Sequence, residues 1–107
     1  MASSRDYLDY ILEQLSDCDG IQYRPMMGEY ILYMQGRIVG GIYDDRFLVR
    51  PTAAAERLLP GAPRELPYDG GREMLLVERV DDRAFLRALL GAMYPELPEP
   101  KKRRRQR

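Results

Sequence analysis

A two-layer α+β fold, an antiparallel β-meander covered by helices, is what this chain of 107 residues predicts. Three observations carry the expectation. Between Arg24 and Thr52 the sequence RPMMGEYILYMQGRIVGGIYDDRFLVRPT holds three apolar runs parted by short turn signals, the pattern of a meander. Two further segments, one near each end, repeat apolar residues at helical spacing. The links between the apolar runs are of hairpin length, too short for parallel crossovers, so the strands run antiparallel and the helices cover one face. The predicted order is α-β-β-β-β-α-β-α.

Ser3 or Ser4 can cap the first helix, with Asp6 in the first turn where a negative charge complements the helix dipole. Tyr7, Leu8, Ile11, Leu12 and Leu15 form its apolar stripe, and Gly20 is expected to stop it. A short strand follows over Ile21 to Arg24, with Pro25 suited to a strand end or an edge. Glu29 to Met34 and Arg37 to Tyr43 read as a hairpin turning at Gln35-Gly36, and Asp44-Asp45 turns the chain again into Arg46 to Arg50. In that last strand Phe47 and Val49 face one way, to a dry side, and Arg46, Leu48 and Arg50 the other, to a mostly wet one. A short helix is predicted after Thr52, through Ala53, Ala54, Ala55, Leu58 and Leu59, until Pro60-Gly61 breaks it. Pro60 to Gly71 reads as loop and Glu73 to Val77 as strand. The final helix, capped by Asp81 or Asp82, aligns Phe85, Leu86, Leu89, Leu90 and Met93 before Pro95.

Length and an apolar fraction of 45% suit one globular domain, placed at residues 1–95, with 96–107 a proline-containing linker and a basic tail. No apolar run approaches a membrane span, and the first residues carry no secretory pattern. A single cysteine, Cys18, and no histidine fit a reducing cytoplasm, which is the expected location. The missing histidine also removes Ser-His-Asp and Cys-His nucleophiles and the common zinc sites. Asp17-Cys18-Asp19-Gly20 lacks the later acidic ligands of a calcium loop, and no glycine cluster has nucleotide-loop spacing. The residues therefore call for no catalytic group, no metal and no cofactor.

Three features of the meander admit two readings each. Gly40 and Gly41 interrupt the central strand, through a bulge or the close approach of a covering helix, or because a ligand rests on bare backbone. Met26 and Met27 fill core gaps at a strand start, or present an adaptable binding surface. Tyr30, Tyr33 and Tyr43 serve sheet packing, or form an aromatic face for stacking on bases.

The elements Met26-Met27-Gly28-Glu29, Tyr30-Ile31-Leu32-Tyr33, Gly36 and Asp44 to Arg50 together resemble the N-terminal domain of the TfoX/Sxy family, bacterial proteins associated with natural competence. The likeness runs from about Tyr7 to Tyr94, with Met26, Met27, Gly28, Glu29 and Tyr30 as its motif. Met27 stands in place of the family's usual aromatic residue and Glu29 in place of a second glycine, which marks a divergent branch. The competence regulators also carry a C-terminal helical domain, to which nothing here corresponds. The resemblance implies an α+β fold and a regulatory role rather than a reaction.

Formal neutrality hides a division of charge. Lys101, Lys102, Arg103, Arg104, Arg105 and Arg107 supply six of the 17 basic residues, so residues 1–100 hold 11 basic against 17 acidic groups, a net of −6. Such a tail can contact nucleic acid without sequence preference, or fold against the acidic body. The leading expectation is a non-enzymatic regulatory or adaptor domain acting through an unidentified protein partner, with the tail as a nucleic-acid tether. The alternative is a small-ligand-binding or enzymatic domain built around Gly40-Gly41. Homodimerisation through an exposed sheet edge is a third expectation.

Overall fold

The computed structural model describes residues 3–99. Its elements are α1 (Arg5–Gln14), β1 (Ile21–Met26), β2 (Glu29–Met34), β3 (Arg37–Ile42), β4 (Phe47–Val49), α2 (Ala53–Leu58), β5 (Arg64–Glu65), β6 (Met74–Leu76) and α3 (Arg83–Met93), closed by a single 3-10 turn at Tyr94–Glu96. The six strands form one antiparallel sheet in the order β1-β2-β3-β4-β6-β5. The α+β expectation holds, with one added strand. β5 lies inside what the sequence presents as loop, and at two residues it is too short to show any alternation of side chains.

Turn chemistry builds the meander. Met27 and Gly28, Gln35 and Gly36, and Asp44 and Asp45 all take positive φ, between 50° and 86°, as both central residues of a type I′ hairpin turn must. The first of these turns corrects the reading of Met26-Met27 as core filler at a strand start: Met27 sits at the hairpin tip and is 95% exposed. Because Met26 pairs with Glu29 across that turn, the backbone groups of Ile21, Tyr23 and Pro25 alternate toward the open edge of β1. Proline has no N–H to leave unpaired there, and its presence blunts the edge against pairing with another strand.

Each helix begins on a side-chain cap. The Ser4 hydroxyl accepts from Tyr7 N–H at 3.1 Å, Thr52 from Ala55 N–H at 3.1 Å and the Asp82 carboxylate from Phe85 N–H at 3.0 Å. α1 ends at Gln14, earlier than Gly20 would suggest; Gly20 instead opens β1, its carbonyl accepting from Gln35 N–H. The helices bury Leu8, Ile11, Ala54, Ala55, Leu86, Leu89, Leu90 and Met93 against Leu32, Met34, Val39, Ile42, Phe47, Val49 and Leu75 of the sheet. This is the two-layer core. At roughly 1.5–3 kcal/mol for each fully buried aliphatic or aromatic side chain, it dominates the stabilisation. Leu97 also enters it, so the packed body continues past Pro95 into residues expected as linker.

Candidate functional site

Alternation along the strands divides the sheet into two unlike faces. Tyr30, Leu32 and Met34 of β2 look toward the helices, while Ile31 looks the other way and lines an open groove. Phe47 and Val49 likewise join the core cluster. Leu48, fully buried, does not. The expectation of a mostly wet outer side is therefore corrected at Leu48, and close by a loop carrying Leu66 and Tyr68 folds back against Arg46 and Tyr43. Arg46 reaches from the end of the Asp44-Asp45 turn to the Glu65 carboxylate and the Leu66 carbonyl, and Tyr68 of this loop meets Tyr43 edge to face at 6.1 Å between ring centres.

Beside that loop runs a groove of about 750 Å³. Its apolar lining includes Met26, Ile31, Ile38 and Met74, its aromatic wall is Tyr43 and Tyr68, and Arg50, Arg72, Glu73 and Glu96 also line it. Burial pushes the Tyr43 phenol above its ordinary range, with Tyr68 and Glu29 adding to the rise, so it stays protonated and available as a hydrogen-bond donor. The Glu96 carboxylate is already engaged, accepting from Ala54 N–H at 2.8 Å.

The glycines beside this groove have a structural cause. A Cβ on Gly40 would stand 2.0 Å from the Leu48 carbonyl oxygen, and one on Gly41 would stand 2.6 Å from the Tyr30 carbonyl oxygen and from the Tyr43 ring. What crowds them is neighbouring strand backbone and an aromatic ring, not a covering helix. The register also slips here: Leu32 faces Gly40 and Tyr33 faces Ile38, leaving Val39 as the extra residue of a bulge. Gly40 nevertheless lines the groove, so bare backbone does meet open space on one side.

The motif residues play separate parts. Met26 lines the groove and Tyr30 packs edge to face on Tyr23 at 5.9 Å, which makes it a packing ring rather than a base-stacking surface. Glu29 is a clasp. Its carboxylate accepts from the Ser3 hydroxyl at 2.6 Å and from Asp44 N–H at 3.0 Å, and Ser3 in turn accepts from Asp45 N–H at 3.0 Å. Ser4 N–H adds a bond to the Asp45 carboxylate at 2.8 Å, and Ser3 N–H donates to the Gly28 carbonyl at 3.0 Å. The start of the chain thus fastens two hairpin turns together.

Among the described residues, no group of three or more histidine, cysteine or carboxylate side chains is placed to share a metal ion. Cys18 is half-buried, and burial raises its thiol pKa, which holds it in the less nucleophilic form. The basic residues Lys101, Lys102, Arg103, Arg104, Arg105 and Arg107 lie outside the described residues. Sequence reasoning missed Arg50, Arg72 and the Tyr68 loop as neighbours of Gly40, since they are far from it along the chain. The one signal was a lone aromatic residue inside a Pro/Gly-rich loop.

No helix among the described residues is long and apolar enough to cross a membrane. No family model matches the chain, and no solved structure matches it. It is similar to an uncharacterized 12.7 kDa protein in the trpE 5′ region of Spirochaeta aurantia, at 29% identity over 105 residues that cover 97% of this chain and 91% of that protein.

Proposed function

We propose that this chain is a non-enzymatic regulatory or adaptor domain of the TfoX N-terminal type, working through protein contacts made by the outer face of its sheet. The observation that carries this reading is the groove of about 750 Å³ on the face away from the helices, with Met26, Ile31, Ile38 and Met74 in its lining. Apolar side chains gathered on an otherwise charged small domain are the usual mark of an interaction surface. The basic tail adds a sequence-independent hold on nucleic acid, confined to the tail because the body is acidic.

A cross-linking pull-down from the native cell tests the reading with three chains: the full protein, the protein lacking 101–107, and Ile38→Glu. Ile38 is 37% exposed, so the charge is tolerated by the fold. The expected result is a discrete protein partner kept by the tail deletion and lost by Ile38→Glu. Partners insensitive to Ile38→Glu would contradict it. DNA affinity at low and moderate salt, with and without the tail, tests the tether: binding that survives the deletion, or none at the outset, removes it.

The same groove supports a second reading as a small-ligand site near Gly40, since its volume lies within the range of ligand pockets. Its length across the sheet favours the protein reading.

A further inference from the structure

The groove has a chemical polarity that narrows its occupant. All 11 basic residues before the tail are arginines. Arg5, Arg46, Arg64, Arg79 and Arg83 are each paired with a carboxylate, Arg24 lies 3.5 Å from the Tyr33 hydroxyl, and Arg37 holds the Leu97 carbonyl and the Tyr94 ring. Arg50, Arg57, Arg72 and Arg87 have no carboxylate within 4.0 Å among the described residues. Two of these four, Arg50 and Arg72, line this one groove. The lining also carries two carboxylates, Glu73 and Glu96, the latter engaged at the start of α2, so the groove is neutral in sum on a body of net charge −6 and offers two guanidiniums that no carboxylate partners.

Its dimensions narrow the occupant further. The lining passes from Met26 on β1 through Ile31 on β2 and Ile38 on β3 to Arg50, directly after β4, and Met74 on β6, across five consecutive strands of the sheet. At about 4.8 Å between strands that is roughly 19 Å, the length of an extended segment of about six residues. Arg50 and Arg72, both without a carboxylate partner, would repel the chain's own basic tail. We propose that the groove receives an extended peptide segment of a partner protein in which apolar side chains alternate with carboxylates. The apolar residues sit on Met26, Ile31 and Ile38, and the carboxylates meet the Arg50 and Arg72 guanidiniums, whose planar donors suit such an acceptor. This rests on the protein-contact reading given above.

The test uses two dye-labelled eight-residue peptides, one alternating valine with glutamate and one alternating valine with lysine, titrated into the full chain by fluorescence anisotropy. The glutamate peptide is expected to bind, and the lysine peptide to bind at least about tenfold more weakly. The double variant R50E/R72E should weaken the glutamate peptide by about tenfold or more and gain the lysine peptide, a reversal that misfolding does not produce. No binding of the glutamate peptide, or binding indifferent to the double variant, overturns the proposal. So does a dimer by light scattering that R50E/R72E dissolves, because the occupant would then be a second copy. If the pull-down finds a partner sensitive to Ile38→Glu but the peptide does not bind, the peptide inference fails alone; if the peptide binds and no partner is captured, the adaptor reading fails alone.

Discussion

The Ser3 hydroxyl donates to the Glu29 carboxylate at 2.6 Å across 26 residues of sequence, and the same carboxylate oxygen accepts from Asp44 N–H at 3.0 Å. Ser3 is 8% exposed, so these groups lose part of their access to water when their partner is removed. Glu29→Ala is therefore expected to cost about 1–3 kcal/mol, and Glu29→Gln less, because an acceptor oxygen remains. Urea unfolding checks this: the midpoint should fall with the slope unchanged. An unshifted midpoint for Glu29→Ala would mean the clasp contributes nothing.

Glycine-to-alanine substitutions should act in opposite directions at two places. At Gly40 the new methyl would meet the Leu48 carbonyl oxygen at 2.0 Å, and a strand backbone cannot yield as a flexible side chain would. Gly40→Ala is expected to destabilise by about 1–3 kcal/mol. Gly91 lies in α3 with nothing within 4 Å of its would-be Cβ, so Gly91→Ala should stabilise by about 0.5–1 kcal/mol through helix propensity and a less disordered unfolded chain. Thermal melts of the two variants side by side give the signs directly.

The cap of α3 is a pH-dependent element. A backbone hydrogen bond from Phe85, and then the Arg79 guanidinium, lower the Asp82 carboxyl pKa below its ordinary value. A carboxyl whose pKa is lower folded than unfolded adds stability above the unfolded value of about 3.9 and loses it as pH falls through the folded one. Asp82→Ala should reduce the melting temperature at pH 7, and that difference should shrink as the pH falls below the unfolded carboxyl value of about 3.9. A difference that grows on acidification would contradict the assignment.

Leu97 tests where the body ends. It is 3% exposed and joins the core two residues beyond Pro95, while Glu96 caps α2. Leu97→Ala is expected to cost about 2–4 kcal/mol, as for a buried leucine elsewhere in a core. A cost below about 0.5 kcal/mol, the size of an ordinary surface change, would return this segment to the linker.

The helices and the meander were legible because their signals are local: stripes at helical spacing from Tyr7 to Leu15 and from Phe85 to Met93, and turn residues at Gln35-Gly36 and Asp44-Asp45. Met27 defeated the reading because a methionine with positive φ at a hairpin tip breaks the local preference that the eye follows. Leu97 was hidden behind prolines that read as punctuation. The crowding at Gly40 and Gly41 was half legible. The sequence marked a side chain as unwelcome, but whether a helix, a strand or a ligand excluded it depended on Leu48, Tyr30 and Tyr43 meeting in space. The groove was least legible of all, since Met26, Arg50 and Arg72 come together only once five strands are in register and the loop holding Tyr68 has folded back.

The proposed partner recognition lies on the outer face of the sheet. Amide chemical-shift mapping of the full chain, titrated with the alternating valine–glutamate peptide, tests it most directly. Perturbations are expected to gather at Ile31, Ile38, Gly40, Tyr43, Arg50 and Met74, with α1 and α3 silent. Perturbations gathered on the helices, or none anywhere in the sheet, would contradict it.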